Sequence, residues 1–136
     1  MAEKGTTVRT RILALVAAVA SVPLLTVSAS AAPADLNAPY ARAAAKVSAN
    51  GTLLATKNVA STARLEGRPA GYYCVAVSDP TIDLRNAAVL ATVNNNRSMI
   101  TAIPNSNCNG KTRTITVVTS NYHNDPADVP FTVAVL

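Results

Sequence analysis

The sequence is poor in the residues that most often carry chemistry or bulk. Its 136 residues include no tryptophan, one phenylalanine, one histidine and five glycines. Only 14% are charged, so the chain is neither a charged disordered tail nor a coiled coil. The few glycines form no phosphate-binding loop. What remains is 49% hydrophobic, largely aliphatic, and of a length that suits one domain.

The amino-terminal segment has the pattern of a cleaved secretory signal peptide. Basic residues precede an uncharged run from Ile12 to Leu25, and an Ala-x-Ala site ends at Ala31. These are the three parts of such a signal. The run is shorter than the roughly 20 residues that span a bilayer, which argues against a permanent anchor. We predict a signal peptide over 1–31, a flexible leader over 32–39 and a single domain over 40–136. The trimmed protein is expected to be extracellular and free of the membrane.

The charge pattern does not indicate a nucleic-acid partner. The formal net charge is +5 for the whole chain. It falls to about +3 once the signal segment is removed. The remaining basic residues are scattered along the chain, whereas nucleic-acid binding concentrates them on one face or stripe.

Two cysteines, Cys74 and Cys108, are the only ones in the chain, and they form no C-x-x-C motif. In the oxidising compartment that export implies, they predict one disulfide. Closing a loop of this length is worth about 3.5–4 kcal/mol in the chain-entropy model. We expect this bridge to staple the two layers of the fold together.

Alternating polar and apolar residues after position 40 predict an all-β fold. Asn50-Gly51 is a strong hairpin signal, because both residues tolerate a positive φ. Ile82 and Leu84 suggest either a short strand or a turn of helix. The pattern as a whole indicates an antiparallel β-sandwich of about seven to eight strands, either Ig-like or jelly-roll-like. The predicted strands are 40–49, 52–58, 61–66, 72–77, 87–93, 98–103, 112–119 and 131–136.

His123 is the one residue that suggests catalysis, because Asp125 and Asp128 follow it closely. A triad also needs a nucleophile, and no serine lies in a G-x-S-x-G elbow. Oxygens of Asn121 and the two aspartates could hold calcium, but the loop lacks the EF-hand spacing. One histidine and two paired cysteines are too few for zinc. We therefore expect no catalytic residue, no metal and no cofactor, and a loop that is rich in turns.

Small secreted β-sandwiches often bind sugars, but this chain lacks the tryptophan on which sugar rings usually stack. In a strand, one of the adjacent residues Tyr72 and Tyr73 must face away from the core. We expect Tyr73 to pack inside, and Tyr72 to lie on a sheet edge or over the disulfide. The candidate ligand contacts are Tyr72, Tyr122, His123, Asp125 and Asp128.

Several short motifs resemble a group of small secreted actinobacterial proteins of unknown function. They are ANGTL at 49–53, GYYCV at 71–75, Cys108 and ADVPFTV at 127–133, together with the alanine-rich signal. The resemblance implies a fold and a compartment but transfers no site. At the level of fold alone, the cysteine strand GYYCV and the terminal strand ADVPFTV also look like parts of jelly-roll heads in tail-fibre and C1q-like proteins.

These patterns lead to three functional hypotheses. The first is a secreted, non-catalytic surface or interaction protein, which could self-associate through Tyr72 or the loop 120–130. The second is a glycan- or cell-wall-binding module, and the third is a small hydrolase that depends on His123.

Overall fold

The computed structural model describes residues 30–94 and 97–136, so nearly all of the predicted signal segment lies outside the described residues. Within these ranges the fold is all-β, as predicted, with nine strands in two sheets. Residues 31–136 form one compact unit. No helix in the described ranges is long and apolar enough to cross a bilayer.

The two sheets are mostly antiparallel. The first sheet has the order β1-β3-β2-β9-β6 and the second has the order β4-β5-β8-β7. The one parallel pair joins β1 to β3. In chain order the strands are β1 (Ala34–Asp35), β2 (Ala43–Val47), β3 (Leu53–Lys57), β4 (Val59–Arg64), β5 (Tyr72–Val77), β6 (Val89–Val93), β7 (Ser98–Ile103), β8 (Thr114–Asn121) and β9 (Phe131–Val135).

The segment expected to be a flexible leader contains β1. Ala34 and Asp35 pair in parallel with β3, and Leu36 N–H donates to Thr56 O. The Lys57 ammonium donates to Ala38 O at 2.8 Å. The open edge of β3 thus supplies unpaired backbone groups that order the segment, although its composition suggests a coil.

The aliphatic core lies between the sheets and follows the alternation of the strands. Inward residues of the central strands are buried, and Tyr73 and Phe131 are its largest side chains. Their ring centroids lie 5.0 Å apart across the two sheets. Ile82 and Leu84 form neither a strand nor a helix; they belong to a turn whose apolar side chains are buried in this core.

The predicted disulfide is present, but it does not join the sheets. Cys74 lies between the inward residues Tyr73 and Val75, so its side chain faces away from the core. Cys108 lies in a 3₁₀ turn of the loop between β7 and β8, which belong to the same sheet as Cys74. The expectation of an inter-sheet staple was therefore wrong. The bridge instead pins the β7–β8 loop to the outside of the second sheet.

Candidate functional site

The outer face of the second sheet presents its residues in alternating positions. Because Tyr73, Val75 and Val77 point into the core, Tyr72 and Cys74 point outward from β5. The pairing of β5 with β8 and of β8 with β7 extends this face across three strands. Its outward residues on those strands are Tyr72, Cys74 and Ala76 of β5, Thr114, Thr116, Val118 and Ser120 of β8, and Met99, Thr101 and Ile103 of β7.

Two depressions lie on this face and meet at Tyr72. One has a volume of about 260 Å³ and the other about 420 Å³. Tyr72 and Val118 line both of them, so the depressions are neighbours. We call the two together the Tyr72 groove.

A loop borders each depression. Asn124 and Pro126 line the smaller one; they belong to the segment 120–130, which includes the last two residues of β8 and which we call the Ser120–Pro130 loop. Asn107 and Cys108 line the larger one and belong to the segment 104–113 between β7 and β8, which we call the disulfide loop. The groove therefore depends on how these two loops are held.

The disulfide loop is held in an unusual backbone conformation. Asn105, Asn107, Asn109 and Arg113 all have φ between 51° and 55°, in the left-handed region. Asparagine adopts this region more readily than most residues do, which explains why the loop is rich in it. The Cys108 N–H also donates to Thr114 Oγ1 at 2.9 Å. This hydrogen bond and the disulfide together fix the loop against the sheet.

The Ser120–Pro130 loop begins with a turn closed by an asparagine side chain. Asn121 Oδ1 accepts hydrogen bonds from the backbone N–H groups of His123 and Asp125, each at 2.9 Å. Such a turn satisfies backbone donors locally. It sends Tyr122 and His123 to the tip, and Asn124 and Pro126 toward the groove.

The lining of the groove is mostly uncharged. Its two charged residues are Glu66 and Arg68, both at the larger depression. The Arg68 guanidinium carbon lies 5.9 Å from the centroid of the Tyr72 ring, within reach of a cation–π contact. The Tyr72 ring is half-buried, so part of it remains open to solvent.

Of the five predicted ligand contacts, only Tyr72 lies in the groove. Tyr122 is 72% exposed, and its ring contacts that of His123 with centroids 3.9 Å apart and planes inclined by 43°. Asp125 is exposed and accepts a hydrogen bond from the Asn121 amide. The structure therefore does not gather the predicted contacts into one concave site.

Asp128 has a structural position. Its Oδ1 accepts a hydrogen bond from Gly71 N–H at 2.7 Å and lies 3.2 Å from Arg64 Nε. The Tyr73 hydroxyl lies 3.3 Å from the same oxygen and donates to Ala49 O at 2.7 Å. Burial and then the negative charge of Asp128 raise the pKa of Tyr73 to about 12. Asp128 thus ties the end of its loop to β4 and β5.

Gly71, the partner of Asp128, has φ +83°. A Cβ at this position would lie 2.1 Å from Thr119 O and 2.7 Å from Ala127 O. Only glycine therefore allows the Ser120–Pro130 loop to approach β5 so closely.

Chemistry at His123 has little support in this geometry. In residues 30–94 and 97–136, no side chain hydrogen-bonds to the His123 ring. No three acidic, histidine or cysteine groups in that part of the chain converge as metal ligands. A nucleophile and an orienting acid are what a hydrolytic triad would need there.

A third depression, of about 490 Å³, was missed by the sequence analysis. It lies between the turn at 80–85 and the disulfide loop. Arg85 in its wall is already paired with Asp83, whose pKa is lowered chiefly by hydrogen bonds from Arg85. No sequence signal marks this depression, because distant loops form it.

Comparison of the chain with protein-family models, with curated proteins and with solved structures finds no match.

Proposed function

We propose that the protein is a non-catalytic binding protein of the cell exterior, and that its ligand lies in the Tyr72 groove. The observation that carries the proposal is one half-buried tyrosine where two depressions meet, with an ordered loop at each. The larger depression has a volume typical of ligand sites. The disulfide supports an extracellular location, because such bridges persist in oxidising compartments.

The chemistry of the lining favours a neutral glycan, such as a cell-wall polysaccharide. A bound sugar ring packs its C–H face on an aromatic ring, and its hydroxyls form hydrogen bonds with polar side chains nearby. Tyr72 and Val118 offer the apolar part of such a site. Hydroxyls and amides surround them, from Thr101, Ser106, Asn107, Thr116 and Asn124.

A small hydrolase has less support. His123 lines neither depression, and its ring contacts that of Tyr122 at the tip of the loop. The likeness of the motifs to small secreted actinobacterial proteins agrees with export but adds no activity.

Retention on insoluble chitin, cellulose and peptidoglycan tests this proposal. The wild type is expected to bind at least one polymer, and Tyr72→Ala to bind it roughly tenfold more weakly, as loss of an aromatic contact implies. Tyr40→Ala is the matched control, because Tyr40 is 93% exposed and lies outside the groove. Melting temperatures of the variants check that both still fold.

Three outcomes would count against the proposal. They are no retention on any polymer, equal losses in Tyr72→Ala and Tyr40→Ala, and release of soluble sugar from a polymer. A loss confined to Tyr122→Ala would move the contact from the groove to the tip of the loop.

A further inference from the structure

The two flanks of the molecule differ in how their strand edges are protected. β6 and β7 are terminal strands that lie side by side on one flank of the molecule. Neither contains a charged residue or a proline, and their registers run without a bulge. The opposite flank is different: β3 and β4 each carry a bulge and a basic residue, and β1 covers β3. Bulges, charges and covering segments are the usual protection against edge pairing, and the β6–β7 flank lacks them.

This flank also exposes apolar side chains. Leu90 of β6 is 57% exposed, and Met99 and Ile103 of β7 are 49% and 47% exposed. The inward residues Ile100 and Ala102 are only half-buried, whereas those of the central strands are buried. The core is therefore open along the flank where the strand edges are unprotected.

The direction of the free backbone groups on β7 follows from the neighbouring pair. Thr119 N–H donates to Gly71 O, so the odd-numbered residues of β8 bond to β5 and Val118 bonds to β7. Thr101 pairs with Val118 and so uses its backbone groups within the sheet. Ile100 and Ala102 therefore point their N–H and C=O groups outward, away from β8.

We propose that two copies of this chain pair antiparallel through β7, with each Thr101 opposite Thr101 of the partner subunit. In this register Ile100 lies opposite Ala102 of the partner subunit, and both have outward backbone groups that can exchange hydrogen bonds. Met99 lies opposite Ile103 of the partner subunit on the outer face. Because the pair is symmetric, this register covers the exposed side chains of Met99 and Ile103 in both copies.

Two further features favour a second copy as the occupant of this edge. A register centred on Ile100 would place Met99 against Thr101 and leave Ile103 without an apolar neighbour. The paired strand β7 itself contains no charged residue. Two positively charged copies therefore meet without placing like charges opposite each other.

The pairing has a consequence that rests on the proposed function. A twofold axis perpendicular to the sheet keeps the outer faces of both second sheets on the same side. Two Tyr72 grooves would then face one polymer, and bivalent attachment raises the apparent affinity without any new contact.

Sedimentation equilibrium of residues 31–136, which contain the whole described core, tests the pairing without any ligand. A reversible monomer–dimer equilibrium is expected. Thr101→Lys should raise the dimer dissociation constant about two- to fivefold, because two ammonium groups would lie directly opposite each other. Thr101 is exposed, so the monomer should still fold. Thr92→Lys, at an exposed outward position on β6, is the matched control and should change nothing.

Cysteine cross-linking tests the register itself. Thr101→Cys should give a disulfide-linked dimer under mild oxidation, because residues in a directly opposed pair of this type are close enough for a bridge. Ile103→Cys should not, because it faces Met99 of the partner subunit. A strict monomer at all concentrations would overturn the pairing. A dimer dissociation constant that Thr101→Lys leaves unchanged, or that Thr92→Lys raises by the same factor, would also overturn it. Copurification of the monomer with a foreign extended peptide would assign the edge to another chain and would also overturn it. None of these readouts depends on polymer binding.

Discussion

At the scale of single residues, the adjacent tyrosines Tyr72 and Tyr73 have different roles. Strand alternation sends Tyr73 into the core, as the sequence predicts. Tyr72 lies in the groove on the central strand β5, and not at a sheet edge, which was one of the two positions expected for it. The Tyr73 hydroxyl then reaches Ala49 O next to the β2–β3 turn, and Asp128 beside β5. One phenol therefore connects the second sheet with the first.

The raised pKa of Tyr73 predicts how stability falls in alkali. The group titrates near 10 in the unfolded chain and at about 12 in the folded protein, so the folded state favours the neutral phenol. The stabilisation is complete below pH 10 and is lost as the pH rises from about 10 to about 12. Urea unfolding at a series of pH values should show this fall. Tyr73→Phe should remove this contribution to the slope, while Tyr40→Phe should keep it. An unchanged slope in Tyr73→Phe would contradict this assignment.

At the scale of strands and loops, local pattern predicts much but not the pairing. The predicted strands at 72–77 and 98–103 coincide with β5 and β7, because aromatic, β-branched and alternating residues favour extended backbone there. The strand β1 could not be predicted, since its two residues are ordered only by the distant edge of β3. For the same reason the alternation of β7 puts Met99, Thr101 and Ile103 on one face but does not reveal what lies next to them.

Because the disulfide lies within the second sheet, its removal should loosen the disulfide loop and should not separate the two sheets. Cys74→Ala/Cys108→Ala should lose roughly 3.5–4 kcal/mol of unfolding free energy in the chain-entropy model. Amide hydrogen exchange should quicken most in residues 104–113, because the bridge holds that loop against the sheet. Retention on the polymer should weaken as the wall of the groove loosens. Preferential loss of protection in β2 and β9 would contradict this local effect.

At the scale of the whole molecule, the core between the two layers is aliphatic except for one aromatic pair. Phe131 of β9 meets Tyr73 of β5 at 5.0 Å with the ring planes inclined by 56°. Both rings are buried, and the β2 residue paired with Phe131 is Val47, in a core made mostly of alanine and valine. Because most core side chains are small, they cannot fill the cavity that loss of the Phe131 ring would leave. The packing of the two sheets therefore depends on Phe131.

Phe131→Ala should therefore lower the free energy of unfolding much more than the loss of an exposed aromatic side chain would. Removing a buried phenylalanine costs about 3–5 kcal/mol, which is a large part of the roughly 5–15 kcal/mol that keeps a domain folded. The loss should appear with the disulfide intact, since the bridge lies on the other side of the second sheet. Tyr122→Ala is the control, because an exposed aromatic at the tip of a loop should cost about 0.5 kcal/mol or less. Chemical denaturation of both variants under oxidising conditions measures the difference. Similar values would mean that the aromatic pair does not hold the layers together.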